Sequence, residues 1–151
     1  MGSQIQNRLY IAGGPGGGSI GPKVHESVAT TLGLNWTCEF LRFTSVDDVM
    51  NLFRASDFAG GLVTMPHKRT VIPKVDHCDQ LVTILGACNC VYLGKDGSLQ
   101  GTNTDWVGIY DAILAVTPDH QEGRVGMVYG AGGASRAAIY ALWAKLQCSQ
   151  I

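Results

Sequence analysis

The stretch Gly60-Gly61-Leu62-Val63-Thr64-Met65-Pro66-His67-Lys68 decides how this chain is read. Leu62-Val63 is a short apolar run of the kind a buried strand uses. The run stops at Thr64-Met65-Pro66, where the proline fixes its own φ, removes a donor and keeps Met65 out of the helical region. The backbone must turn sharply there, so Thr64 and Lys68 leave the strand end close together. A hydroxyl and an ammonium at the mouth of a buried strand can bind an oxygen-rich ligand, and a lysine in partly dry surroundings can shuttle protons. A lysine after a strand-to-helix turn is equally an ordinary surface residue.

Working upstream, residues 8–12 carry Leu9, Tyr10 and Ile11 in a row and read as a first strand. A glycine cluster follows, from Gly13 to Gly18, then Ser19-Ile20-Gly21-Pro22-Lys23. A phosphate-binding Walker loop needs Gly-Lys-Ser/Thr at its end. Pro22 separates Gly21 from Lys23, and no hydroxyl residue follows the lysine, so ATP binding is excluded. Pro22 instead suits the first turn of a helix. Val24, Val28, Ala29 and Leu32 make an apolar stripe on that helix, and Gly33 stands where a helix-ending glycine belongs. Residues 36–43 alternate and read as a second strand. Ser45, with Asp48 three residues on, caps a helix whose core face is Val49, Met50 and Phe53.

Downstream, residues 68–75 read as a short helix ended near Pro73, and residues 76–85 as another with Cys78, Leu81, Val82 and Leu85 on one face. Residues 87–93 and 98–102 flank Gly94-Lys95-Asp96-Gly97 and form a hairpin. Thr104 caps a helix with Trp106, Ile109, Tyr110, Ile113 and Leu114 down one side. Residues 124–129 read as a strand. Gly130-Ala131-Gly132-Gly133-Ala134-Ser135 then opens a helix reaching about residue 146. Strand, glycine turn and helix are the context a dinucleotide fingerprint requires.

At 151 residues the chain is about one domain long. It is 46% hydrophobic and 15% charged, hence globular rather than disordered. A net charge of −1 without a basic run argues against nucleic acid and anionic membrane surfaces. No apolar run approaches the ~20 residues of a membrane span, and the N-terminus has neither a signal-peptide core nor a myristoylation pattern. The five cysteines, Cys38, Cys78, Cys88, Cys90 and Cys148, include no Cys-x-x-Cys pair. Cys88-x-Cys90 near His77 fits no zinc spacing, so no metal is expected and the thiols read as reduced residues of a cytoplasmic protein.

Val63-Thr64-Met65-Pro66-His67-Lys68 resembles the signature of the shikimate and quinate dehydrogenase family, most nearly its fungal type. Gly101-Thr102-Asn103-Thr104-Asp105 and Gly130-Ala131-Gly132-Gly133-Ala134-Ser135-Arg136 match the same family in the same order. The resemblance implies that Lys68 is the catalytic acid/base and Asp105 its partner. It implies that Thr64 and Asn89 bind ring hydroxyls, Ser19 the substrate carboxylate, and Gly130, Ala131, Gly132, Gly133 and Ala134 the pyrophosphate of NAD or NADP. Each residue also has a plainer reading: a carboxylate at a helix start is favoured by the dipole whatever Asp105 does, and Asn89 suits an edge strand. Two departures stand out. The family's second carboxylate-binding serine falls at Gly21, a loss of about 1.5–3 kcal/mol for a hydrogen bond to a charged group. The threonine after the family's asparagine is Cys90.

The fold expected is α/β. Residues 1–104 form a mixed-sheet substrate-binding domain, and residues 105–151 form a connecting helix and the first βα unit of a Rossmann domain. The residue that reads the adenosine ribose lies about 20 positions past the fingerprint, so NAD and NADP are not distinguished. The chain is expected to be a fragment, completed by a missing C-terminal half or by a partner copy. The alternative function is a non-catalytic ligand binder similar to fungal repressors of quinate use.

Overall fold

The computed structural model describes residues 7–117 and 123–151. Strand β1 (Arg8–Gly13) leads through the glycine loop to helix α1 (Gly21–Thr31), then to β2 (Thr37–Arg42), α2 (Val46–Phe53) and β3 (Phe58–Val63). A turn and a 3-10 segment (Ile72–Lys74) precede β4 (His77–Cys78) and α3 (Gln80–Leu85). The hairpin β5 (Cys90–Leu93) and β6 (Leu99–Thr102) follows, then α4 (Asp105–Val116) and α5 (Gly133–Tyr140), which continues as a π-helical turn, Ala141–Lys145.

The six strands form one mixed sheet in the order β2-β1-β3-β5-β6-β4. β2, β1 and β3 run parallel, whereas β5 is antiparallel to β3 and to β6. The parallel strands therefore end on one edge, at Arg42, Gly13 and Val63, and the loops leaving that edge carry the polar residues of interest. One sheet face buries Tyr10, Ala12, Val63 and Val91 against Val49, Met50 and Phe53 of α2. The Phe53 ring stacks on Phe58 with centroids 4.8 Å apart and lies so close to β3 that a Cβ on Gly61 would stand 2.4 Å from its Cζ. Gly61 is thus glycine because Phe53 occupies its side-chain space.

Several sequence expectations hold locally. Ser45 caps α2, its hydroxyl accepting the N–H of Asp47, and the hairpin is present in register. Trp106, Ile109, Tyr110, Ile113 and Leu114 are the half-buried side of α4, with Trp106 edge-on to Tyr140 at 5.5 Å.

Others are corrected. Over residues 68–75 only Ile72–Lys74 is helical, as the 3-10 segment, and residues 68–71 are turns rather than the start of one helix. Pro73 has no N–H to give Arg69, whose carbonyl takes the N–H of Ile72 instead. The helix placed at 76–85 begins only at Gln80, because the Asp79 carboxylate accepts the N–H of Val82 and caps it there. His77–Cys78 pair with β6. The α1 stripe of Val24, Val28 and Leu32 is exposed and only Ala29 is buried. At about 100° per residue, the face meeting the sheet centres on Pro22, His25 and Ala29, and Glu26 fastens it by accepting the N–H of Cys38. The strand expected at 124–129 reduces to one parallel bridge, Val125 to Gln150. Met127 is 90% exposed, without a ladder partner among the described residues.

Candidate functional site

Beyond β3 the chain turns at a cis Met65–Pro66 peptide. The turn is held from both sides. Thr64 donates its N–H to Ala12, Gly14 donates to the Met65 carbonyl, and the buried His67 bonds through Nε2 to the Phe43 carbonyl at 3.0 Å. This fixes where Lys68 leaves the backbone. The Lys68 carbonyl in turn accepts the N–H of Cys88, which ties the turn to the segment bearing Asn89.

Lys68 and Asp105 meet: Nζ stands 2.5 Å from Oδ2, with their side chains 16% and 21% exposed. Asn89 holds the other carboxylate oxygen. Its amide donates to Asp105 Oδ1 at 2.8 Å and to Thr104 Oγ1 at 3.0 Å, while its Oδ1 accepts the Thr104 N–H at 2.8 Å. One carboxylate oxygen thus faces the amide and the other the ammonium, a geometry set by three loops converging on one sheet edge. Thr104 makes no side-chain cap bond to α4. The first N–H of that helix goes to Asn103 Oδ1, and the buried Asn103 amide donates to the Ala87 carbonyl. The sequence reading missed this role of Asn103, although asparagine is as good a capping residue as threonine. Beside Asn89, burial pushes the Cys88 thiol up to about 12 and raises Cys90 as well.

The glycine turn packs directly against this network. A Cβ on Gly133 would lie 3.1 Å from Lys68 Cδ and 3.5 Å from Ala87 Cβ. Thr64, Met65, Pro66, Lys68 and Arg69 on one side and Ala131, Gly132, Gly133 and Ala134 on the other enclose a cavity of about 430 Å³. Gly130 has φ +116, a conformation that favours glycine, and Gly132 caps α5 with open space where its Cβ would be. First-turn amides with an unobstructed approach suit the phosphates of a dinucleotide. The residues present therefore fit such a group, with Lys68 in the wall of the same cavity.

Ser19 is not among the residues lining that cavity; it lies at the exposed end of the glycine loop, where its hydroxyl accepts the N–H of Gly21 at 3.0 Å. Its O–H remains able to donate to a ligand. Among the described residues, no group of three His, Cys, Asp or Glu is placed to hold a metal, and no helix is long and apolar enough to cross a membrane.

Comparison with known proteins places the sequence and the fold in one family. A family described as the shikimate dehydrogenase substrate binding domain matches residues 11–91. The quinate dehydrogenase of Emericella nidulans is 36% identical, over 94% of this chain and 48% of its own length. The shikimate dehydrogenase of Aquifex aeolicus superposes with a TM-score of 0.86 at 30% identity, covering 99% of this chain and 56% of that one. The quinate dehydrogenase of Corynebacterium glutamicum, solved in complex with NAD, superposes with a TM-score of 0.81 at 26% identity, covering 92% of this chain and 51% of that one. The chain thus spans about half the length of these relatives.

Proposed function

Because this chain belongs to the shikimate dehydrogenase substrate-binding-domain family, we propose that it supplies the ring-acid site and the first phosphate-binding turn of a shikimate or quinate dehydrogenase. The observation that carries this reading is the Lys68–Asp105 pair at 2.5 Å, set against the cavity wall that Gly132 and Gly133 complete. A ligand binder of the repressor kind would have no need to hold an ammonium and a carboxylate ready for proton transfer beside a dinucleotide turn. We assign residues 1–104 to the substrate domain and 105–151 to the connecting helix and the start of the cofactor domain.

The reaction removes a hydride and a proton from one ring CH–OH to leave a ketone, or runs in reverse. The nicotinamide dinucleotide, NAD or NADP, supplies the hydride acceptor. The chain's own residues manage the proton. The reacting hydroxyl approaches the Lys68 Nζ–Asp105 Oδ2 pair from the cavity side, within hydrogen-bond reach of Nζ. As the C–O bond gains double-bond character, its proton passes to this pair and on to water. Asn89 keeps Asp105 from rotating by holding Oδ1, so Oδ2 stays directed at Lys68. Thr64, at the cavity wall, binds a ring hydroxyl and Ser19 donates to the carboxylate; Asn89, expected to bind a ring hydroxyl as well, spends both amide hydrogens on Thr104 and Asp105 and would have to release one of them to do so. The five free thiols fit a reducing, cytoplasmic setting.

The test is turnover of shikimate and quinate, followed by nicotinamide reduction, in the protein that carries this chain together with its cofactor domain. Lys68→Ala should lower kcat by about 10²–10⁴-fold, the usual worth of a positioned acid/base, with the melting temperature little changed. Retained turnover in Lys68→Ala would refute the assignment.

A further inference from the structure

The loop between β1 and α1 contains five glycines within six positions, Gly13 to Gly18. Glycine loses more conformational freedom on ordering than any other residue, so this loop needs anchors to hold one shape. Two are visible. Gly14 donates its N–H to the Met65 carbonyl, beside the turn that presents Lys68. Three residues further on, Arg42 at the end of β2 grips the Gly17 carbonyl with two N–H groups, Nε at 3.0 Å and Nη2 at 2.6 Å. The guanidinium lies over the Phe40 ring, 5.3 Å from its centroid. The same ring supports Gly17, whose Cβ position is 3.5 Å from Phe40 Cζ. Phe40 and Arg42 therefore form a platform on which the loop is pinned two residues before Ser19.

Ser19 is the only side-chain hydroxyl between Gly13 and Gly21. A side chain at position 21 would require Ile11 to move, because a Cβ there would stand 2.3 Å from Ile11 Cδ1. The loop thus offers an anionic ligand one hydroxyl, and its worth depends on how firmly that hydroxyl is placed. A charge-assisted two-point grip on one carbonyl is a stronger tether than a neutral bond.

We propose that Arg42 is a specificity-determining positioning residue: by gripping Gly17 it fixes Ser19 for the carboxylate of the ring acid. It acts through the loop, and its planar fork rather than its charge alone does the work, because lysine cannot present two N–H groups in that fixed geometry. This rests on the ring-acid reading above and adds the residue that makes the site select for the acid.

The test is calorimetric titration of the 151-residue chain with shikimate, quinate and the methyl ester of shikimate, for the unaltered protein, Arg42→Ala and Arg42→Lys. Arg42→Ala should weaken binding of the acids about 10-fold, the upper worth of one ordinary hydrogen bond, and leave the weaker ester binding unchanged. Arg42→Lys should recover only a small part of the loss. Unchanged acid binding in Arg42→Ala would overturn the inference. So would equal losses for acid and ester, which would mean general loosening, and so would full rescue by lysine, which would mean a bare charge effect. Absence of acid binding by the unaltered chain would overturn the ring-acid reading itself and this inference with it.

Discussion

Asn89→Ala is the substitution whose cost can be worked most directly from the structure. The side chain is 7% exposed and makes three bonds of 3.0 Å or less: to the Asp105 carboxylate, to the Thr104 hydroxyl and from the Thr104 N–H. The bond to the charged carboxylate is worth about 2 kcal/mol and each neutral bond about 1 kcal/mol, giving about 4 kcal/mol in all. Thr104 is exposed and the Asp105 side chain is 21% exposed, so water re-satisfies part of what is left bare and the net loss should be about 2–3 kcal/mol. Urea unfolding followed by tryptophan fluorescence checks this. With a slope of about 2 kcal/mol per molar urea, the midpoint should fall by about 1–1.5 M. Asn89→Asp should be worse than alanine at neutral pH, since it sets a second carboxylate against Asp105, and should improve on acidification as the two come to share a proton. A midpoint shift below about 0.3 M for the alanine variant, which at that slope is a small fraction of the worked loss, would refute the claim that this network is what braces Asp105.

Gly61→Ala should destabilise by about 1–3 kcal/mol, an overpacking cost, because its Cβ would meet the Phe53 ring at 2.4 Å; thermal unfolding checks this, and Phe53→Leu in the same chain should recover part of the loss. For Cys88, burial raises the folded-state thiol to about 12. The stability this contributes is complete below the unfolded thiol value of about 8.5 and is lost as pH rises from there towards 12. Alkylation of Cys88 in the native chain at pH 8 should accordingly follow unfolding rather than precede it, as mass mapping of labelled peptides against urea would show.

The parts of the fold and site legible in the sequence are those fixed by short-range chemistry. The Leu62-Val63 strand and the Pro66 turn follow from apolar patterning and from what proline forbids. The Ser45 cap and the α4 stripe follow from residue type and helical spacing. The pairing of Lys68 with Asp105, 37 positions apart, came from the family resemblance, not from periodicity, and the folded chain brings the two together. What stayed illegible depended on partners distant in the chain. The α1 stripe misled because Ala29, not the valines, is the buried residue of the helix and Glu26 is what bonds it to β2. Residues 124–129 have strand composition but find one bridge, at Gln150, since a strand is defined by its neighbours. Asn103 and Arg42 carry no local signal, because each acts on a carbonyl 16 and 25 positions away.

The central claim is that the cleft beside Lys68 and Asp105 takes a ring acid. Its most direct test is thermal unfolding of the 151-residue chain with and without saturating shikimate or quinate, repeated for Lys68→Ala. A ligand at 100 times its dissociation constant adds about 2.7 kcal/mol, so one acid should raise the melting temperature in a saturable way and the shift should disappear in Lys68→Ala. A cooperative melt unmoved by either acid, or a shift that survives in Lys68→Ala, would contradict the account.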